Sequence, residues 1–465
     1  MNRDLLRDRP RDVSSDRPPG ARRDLLLDLS AVLAAALLVT TAALVGTAVQ
    51  HRDRSLFVEW PPLFARWEPH VGPGTPAALG VAVAVVAYGP LVAARLSWRP
   101  LLWAVWATTT AWTFSLALVD GWQRGVAGRL TTTNEYLTVI GRFHDIPATL
   151  RDFTHHIVSQ SPAPWPAHIA GHPPGATLTF VLLDRIGLGG GGWAGVWCVI
   201  VGSTAAVAVL LTVRVLAGEA LARRAAPFLV LAPAAVWVGA SADGYFAAVA
   251  TWAVAFLALA VTGSRPRANG LVAGLLLGLT AYLSYGLVLY AVIAGAVLLL
   301  GSRRLRPLPF VVAGAAVVPV VFTLLGFDWW EAYRLLVTRY YQGVGGTRPY
   351  GYWVWANLAC TVLVVGPATV AGLRRAGAAP VRGGVRTCPR LPAAEPRLAL
   401  LALAALLALL AADLSGMSKA ETERIWLPFA MWLLPAGALL PRARAWLVAQ
   451  AVLALLLNHL LLTGW

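Results

Sequence analysis

Trp165-Pro166-Ala167-His168-Ile169-Ala170-Gly171-His172-Pro173-Pro174-Gly175 follows a polar stretch that begins at Asp120 and lies between apolar runs long enough to cross a membrane. Leu116-Ala117-Leu118-Val119 leads into it, and the apolar residues 193–216 follow. Between those borders the loop gathers Asp120, Asn134-Glu135-Tyr136, His144-Asp145 and His155-His156. An anchor or scaffold has no evident need of such a loop. Carboxylates and imidazoles collected at a membrane surface point to chemistry done there.

Composition sets the class. The 465 residues are 58% hydrophobic and only 13% charged, with mean hydropathy +0.66. A soluble chain carries about twice that charge. The formal net charge of +16 would suggest nucleic acid in a soluble protein. Here the arginines cluster in short loops between apolar runs, the positive-inside pattern, and no nucleic-acid partner is expected. Cys198 and Cys360 fall in apolar runs and Cys388 in a loop, so neither a disulfide framework nor a zinc spacing is implied.

Spans of roughly 20 residues fit at 29–48, 76–95, 100–119, 193–216, 225–241, 244–262, 269–284, 286–301, 308–326, 352–372, 397–413, 424–440 and 445–462. The fold class is therefore an all-α polytopic membrane protein with about thirteen transmembrane helices. Residues 1–28 are expected to be a disordered cytosolic tail, 29–99 two N-terminal spans, 100–373 a catalytic membrane module with outer loop 120–192, 374–397 a cytosolic linker, and 398–465 C-terminal spans with outer loop 413–423. With the N-terminus inside and the C-terminus outside a plasma membrane, every inside loop is basic: Arg95/Arg99, Arg214/Arg223/Arg224, Arg265/Arg267, Arg303/Arg304/Arg306, 374–397 and Arg442/Arg444. That alternation requires 174–187 to lie at the outer surface as a short amphipathic or re-entrant helix.

Candidate residues each have a structural reading beside the chemical one. Asp120 ends a span in an Asp-Gly turn, or serves as a general base whose desolvation tunes it. Glu135 follows Asn134 near a helix start and complements the helix dipole, or works as a second acid. Tyr136 and Asp145 accompany it, His144-Asp145 reading most simply as a solvated helix end. His172, fixed ahead of a helix by Pro173-Pro174, is placed to donate to a phosphate or sugar hydroxyl, with His168 four residues earlier. Two histidines with an acid would also suit a metal, but the spacing is irregular and no metal or other cofactor is favoured. Asp243 caps an outer hairpin turn on the same side. Late in the chain, Ser415-Gly416-Met417-Ser418-Lys419-Ala420-Glu421-Thr422-Glu423-Arg424 is a polar string at the mouth of a span. Arg424 grips a phosphate through paired donors, or snorkels. Lys419 and, from the aromatic-rich loop 327–351, Arg348 are further cations for the same group.

In this order of features the chain resembles the GT-C superfamily of membrane glycosyltransferases, which includes protein O-mannosyltransferases, the aminoarabinose transferase of lipid A, and actinobacterial mannosyl- and arabinosyltransferases. The likeness is carried by a span ending in Asp120, an outer loop with Glu135, the His172-Pro173-Pro174 helix start, Asp243 in an outer turn, and the segment Glu421-Thr422-Glu423-Arg424-Ile425-Trp426-Leu427-Pro428-Phe429, which is similar to a stretch in actinobacterial members. The chain departs in one respect: the acidic loop follows the third span and not the first, which makes residues 49–75, with Asp53, Glu59 and Glu68, a rival loop. The resemblance implies transfer of a sugar from a polyprenyl-phosphate carrier, among membrane lipids, to a glycan, lipid or protein acceptor on the outer face. Asp120 is then the expected base with Glu135 second. Arg424 leads for the phosphate, followed by Lys419, His172 and Arg348. Tyr136, His168, Asp145 and Asp243 are expected at the sugar or acceptor. The alternatives are a polyprenyl-lipid transporter or flippase, and a non-catalytic envelope-assembly subunit.

Overall fold

The computed structural model describes residues 21–382 and 393–464. Cys388, the first twenty residues of the expected tail and the centre of the expected linker lie outside the described residues. The chain is an all-α membrane protein. Among the described residues, eight helices are long and apolar enough to cross a membrane: Arg22–Asp53, Thr75–Arg95, Trp98–Asp120, Gly191–Ala217, Ala242–Val261, Tyr350–Ala378, Ala394–Leu414 and Ala443–Leu460. Leu308–Leu324 and Trp329–Gln342 make a ninth only if their 77° bend is taken as one broken span.

The count of thirteen is thus corrected, and in two of the five runs that drop out proline is the reason. The run 225–241 stops as a helix at Val230, turns through Pro233, and resumes for one turn at Ala235–Val238. The run 424–440 is cut at Pro428 and Pro435 into the turns Thr422–Ile425, Leu427–Ala430 and a 3₁₀ turn Leu434–Leu439, since proline removes a helical donor and clashes with the preceding turn. Residues 426–440 are nonetheless all buried. They form a broken plug inside the bundle, not a span.

The expected tail also shortens. The first helix is already formed from Ala21, because Asp28, wholly buried, is held by Arg375 at 2.6 Å and by Arg374. Those partners sit near the far end of the Tyr350–Arg382 helix, so the two helices run antiparallel with their ends matched. That second helix continues to Arg382, into the expected linker. It is kinked at Gly366, whose φ of +77° breaks the hydrogen-bond ladder. Gln450, buried in the Ala443–Leu460 helix, repairs the break: its amide donates to Val365 O at 2.9 Å and its carbonyl accepts from Ala368 N at 3.2 Å. A Cβ at position 366 would lie 2.0 Å from that carbonyl oxygen, so only glycine fits.

These hairpins gather the connections at two ends. At one end lie the turns holding Arg95, Arg223, Arg265, Arg303, Arg397 and Arg442. At the other lie residues 54–74, 118–190, 239–241, 325–349, 415–426 and the strand Leu461–Thr463, which pairs antiparallel with Ala65–Trp67. The segment 174–187 is a twelve-residue helix, Pro174–Arg185, at this second end. Its Arg185 donates to Phe143 O and His144 O at 2.9 Å, and Phe180 packs under Tyr136.

Candidate functional site

Asp120 closes a 3₁₀ turn at the end of the third helix, and Gly121, at φ +80°, turns the chain away. Its carboxylate is held from three sides. Arg129 Nη2 donates to Oδ2 at 2.9 Å, Arg124 Nε lies 3.5 Å from the same oxygen, and His70 Nε2 meets Oδ1 at 2.8 Å. His70 Nδ1 lies 2.7 Å from Glu68 O, so both ring nitrogens face acceptors. The rival loop therefore meets the main one through His70. Burial pushes Arg129 down to about 10, with Asp120 working the other way.

Glu135 is buried, and its Oε1 lies 2.8 Å from His168 Nδ1. His168 stands on the single turn Ala167–Ala170, started by Pro166. Its backbone N–H donates to Asn134 O at 3.2 Å, and its carbonyl accepts from His172 Nδ1 at 2.7 Å. Tyr136 is sealed beneath, stacked on Phe180 at 5.3 Å and edge-on to His172 at 5.8 Å. Burial, then the charges of Glu135 and Asp243, raise its hydroxyl well above the ordinary range. Burial likewise lowers His172 from 6.5 to about 4.

Asp243 stands in the first turn of the Ala242–Val261 helix, capped by Ser241. Arg424 Nη1 donates to its Oδ2 at 2.6 Å, while Nη2 lies 3.4 Å from both Glu421 Oε2 and His168 Nε2. Burial opposes the charge on Arg424, but Asp243, then Glu421 and Glu135, outweigh it and raise the guanidinium. Ala420 and Glu421 occupy the left-handed region at φ +69° and +61°. Such backbone costs roughly 1–2 kcal/mol per residue and clusters where function constrains it.

One pocket draws on all three groups. It is a narrow cavity of about 20 Å³, lined by Arg129, Glu135, Tyr136, Ser241, Arg424 and Gly464, with Leu130, Thr132, Ala240 and Ala242 between them. Glu135 offers a carboxylate to it, and Arg424 and Arg129 offer guanidinium groups. The slot sets cationic donors beside a proton acceptor.

The other expected residues fall elsewhere. Asp120 stands behind Arg129 and does not line the pocket. His168 stands behind Glu135, and Asp243 behind Arg424. Arg348 is buried in loop carbonyls, donating to Leu56 O at 3.1 Å and Lys419 O at 2.9 Å, with Glu421 at 3.3 Å. Lys419 Nζ donates to Gly345 O at 2.9 Å. Both cations therefore tie loops together. Asp145 caps the Ile146–Asp152 helix through Ala148 N at 3.0 Å, outside the cluster. Among the described residues no three His, Cys, Asp or Glu side chains converge as a metal site. Sequence reasoning missed His70, Arg129 and Glu421. His70 reaches Asp120 from the preceding loop and Arg129 from nine residues on in the same loop, neither with a periodic signal, whereas Glu421 was visible in the late polar string.

No family model matches this chain, and no curated protein matches it. Among solved structures, the crystal structure of the Archaeoglobus fulgidus oligosaccharyltransferase in complex with Zn and sulfate is similar, with a TM-score of 0.45 and 16% identity, covering 76% of this chain and 51% of that one. This chain thus spans about half the length of that protein.

Proposed function

We propose that the protein is an integral membrane glycosyltransferase that moves a sugar from a polyprenyl-phosphate carrier to a cell-envelope acceptor. One observation carries the reading: Glu135 and Arg424 line a single pocket at one end of a bundle of membrane-length helices. The acceptor hydroxyl attacks the anomeric carbon. The bond from that carbon to the phosphate oxygen breaks, its electron pair leaves with the lipid phosphate, and the hydroxyl proton passes to Glu135. Arg424 and Arg129 stabilise the charge gathering on the departing phosphate. Glu135 is preferred to Asp120 as base because it faces the pocket, whereas Asp120 is engaged by His70, Arg129 and Arg124. Asp120 then orients Arg129, and Asp243 and Glu421 orient Arg424.

A lipid-linked donor suits the surroundings. Leu182, Ile186 and Trp193, on and after the Pro174–Arg185 helix, are more than half exposed and give a prenyl chain an apolar rim. The test is transfer of radiolabelled sugar from polyprenyl phosphate in membranes with and without the protein. Transfer that depends on the protein and fails in Glu135→Gln supports the reading. Protein-independent transfer, or full activity in that variant, overturns it and leaves the flippase and assembly-subunit alternatives.

A further inference from the structure

His168 touches the two groups that the proposed chemistry separates. Its Nδ1 lies 2.8 Å from Glu135 Oε1 and its Nε2 lies 3.4 Å from Arg424 Nη2. We propose that His168 is a positioning residue: a neutral imidazole, protonated on Nδ1, wedged between the Glu135 carboxylate and the Arg424 guanidinium so that both stay turned to the pocket. The proposal rests on the glycosyltransferase reading for its kinetic consequences, but not for its chemistry.

The protonation pattern follows from what each neighbour can do. A guanidinium has five donors and no acceptor, so the nitrogen facing Arg424 presents a lone pair. The remaining proton is then on Nδ1, the nitrogen 2.8 Å from Glu135 Oε1. An imidazolium here would point an N–H at an N–H. His70 makes the contrast, with acceptors at both nitrogens. The charged and titratable neighbours of His168 are Glu135 and Tyr136 on one segment, His172 on its own, and Arg424 and Glu421 on the late loop, with Asp243 beyond Arg424.

The ring is also pinned by its backbone. Asn134 O accepts its N–H from the turn that carries Glu135, and His172 donates to its carbonyl. Glu135 and Arg424 already attract each other across it. Without the wedge they are free to close into a direct ion pair. The carboxylate would then lose its reach to an acceptor, and the guanidinium its reach to a phosphate.

Two measurements test this. The first needs no activity: nitrogen NMR of histidine-labelled protein in detergent, with the His168 signal assigned by its loss in His168→Asn. A neutral ring protonated on Nδ1 is expected. A ring protonated on Nε2, or an imidazolium, overturns the proposal. The second uses transfer kinetics. His168→Ala should lose roughly 100-fold in kcat/KM, the scale of a misplaced catalytic group. His168→Asn keeps a donor toward Glu135 and should recover most of kcat while leaving KM for the lipid donor raised. Equal loss in both variants with no KM-against-kcat split, or no loss in either, overturns it. If the wild-type protein shows no transfer at all, the functional reading fails and the NMR result alone decides the role of His168.

Discussion

The two ends of the bundle use arginine differently. At one end guanidinium groups close off backbone carbonyls: Arg223 donates to Ala93 O and Leu96 O at 2.7 and 2.8 Å, Arg397 to Leu216 O at 2.9 Å, Arg224 to Leu440 O at 3.2 Å, and Arg444 to Ala87 O at 3.1 Å. Most of these carbonyls belong to helix C-termini, where orphan acceptors and the helix dipole favour a cation. At the other end the arginines nearest the pocket face carboxylates, as Arg129 does Asp120 and Arg424 does Asp243, while Arg185 and Arg348 further out still hold carbonyls. Capping a carbonyl is cheap and exchangeable. A buried ion pair carries a desolvation cost that hydrophobic packing would avoid. On the proposed function, the difference separates an end where cations cap helices from one whose charges act at the pocket. Two carboxylates are exceptions on the first end: Glu219, which pairs with Arg214 and Arg223, and Asp28, buried against Arg374 and Arg375. Asp28 joins two helices and does not line the pocket.

The sharpest way to break this contrast is Arg424→Ala. Removing one partner of a buried pair leaves Asp243 without its cation, while Glu421 keeps Arg348; the cost should be roughly 3–5 kcal/mol, and transfer should fall by about 10²–10³-fold. Thermal unfolding in detergent and the transfer assay read the two effects. Arg424→Lys keeps the charge but not the fork, so it should recover stability more than transfer. If the alanine variant matches wild type in both, the charges at this end are no more than a solvated surface.

Glu135→Gln separates the two effects further. The amide keeps the shape and an acceptor for His168, so the melting point should move little. Transfer should drop by roughly 10²–10⁴-fold, the usual contribution of a positioned base. The same change at Asp120 should act through Arg129 and appear mainly in KM for the donor. If Asp120→Asn proves the more severe in kcat, the base lies behind Arg129 after all, as the chain order alone suggests.

How much of this was written in the sequence depends on range. The alternation of apolar runs and basic loops shows an all-α membrane protein, and the polar stretches around Asp120, Glu135, His168, Asp243 and Arg424 mark the end that holds the pocket. Local patterns do not show which acid faces it. His70 reaches Asp120 from fifty positions away and Gly464 enters the pocket wall on a strand paired with residues 65–67. Neither contact leaves a periodic trace. The broken plug at 422–440 was hidden for the opposite reason: averaged over a span-length window, its apolar residues outweigh Pro428 and Pro435. The backbone at Ala420 and Glu421 adopts a conformation that neither residue type advertises.

His172 distinguishes the ends by pH. Its folded-state pKa of about 4 lies below the ordinary 6.5 because burial disfavours the charged ring. The unfolded chain takes up a proton as pH falls through 6.5, while the folded ring stays neutral until about 4. Stability from this group is therefore complete above 6.5 and drains away between 6.5 and 4, by roughly 1–3 kcal/mol. Melting curves across that window should steepen in the wild type and flatten in His172→Gln. An unchanged slope would mean that the ring is solvated in the folded protein.

The smallest effect should come from the capping end. Arg397 sits at the start of the Ala394–Leu414 helix and donates to Leu216 O, one of the last carbonyls of the Thr204–Ala217 helix. Removing one such donor leaves an acceptor that water reaches, since the bond is only partly buried. Arg397→Ala should therefore cost about 0.5–1.5 kcal/mol and leave kcat and KM unchanged. Because the helix dipole asks only for a cation, Arg397→Lys should recover most of that loss, whereas lysine at 424 should not restore transfer. Equal tolerance of lysine at both positions would erase the distinction between the two ends. Intolerance at 397 would mean that this guanidinium, too, is held for its geometry.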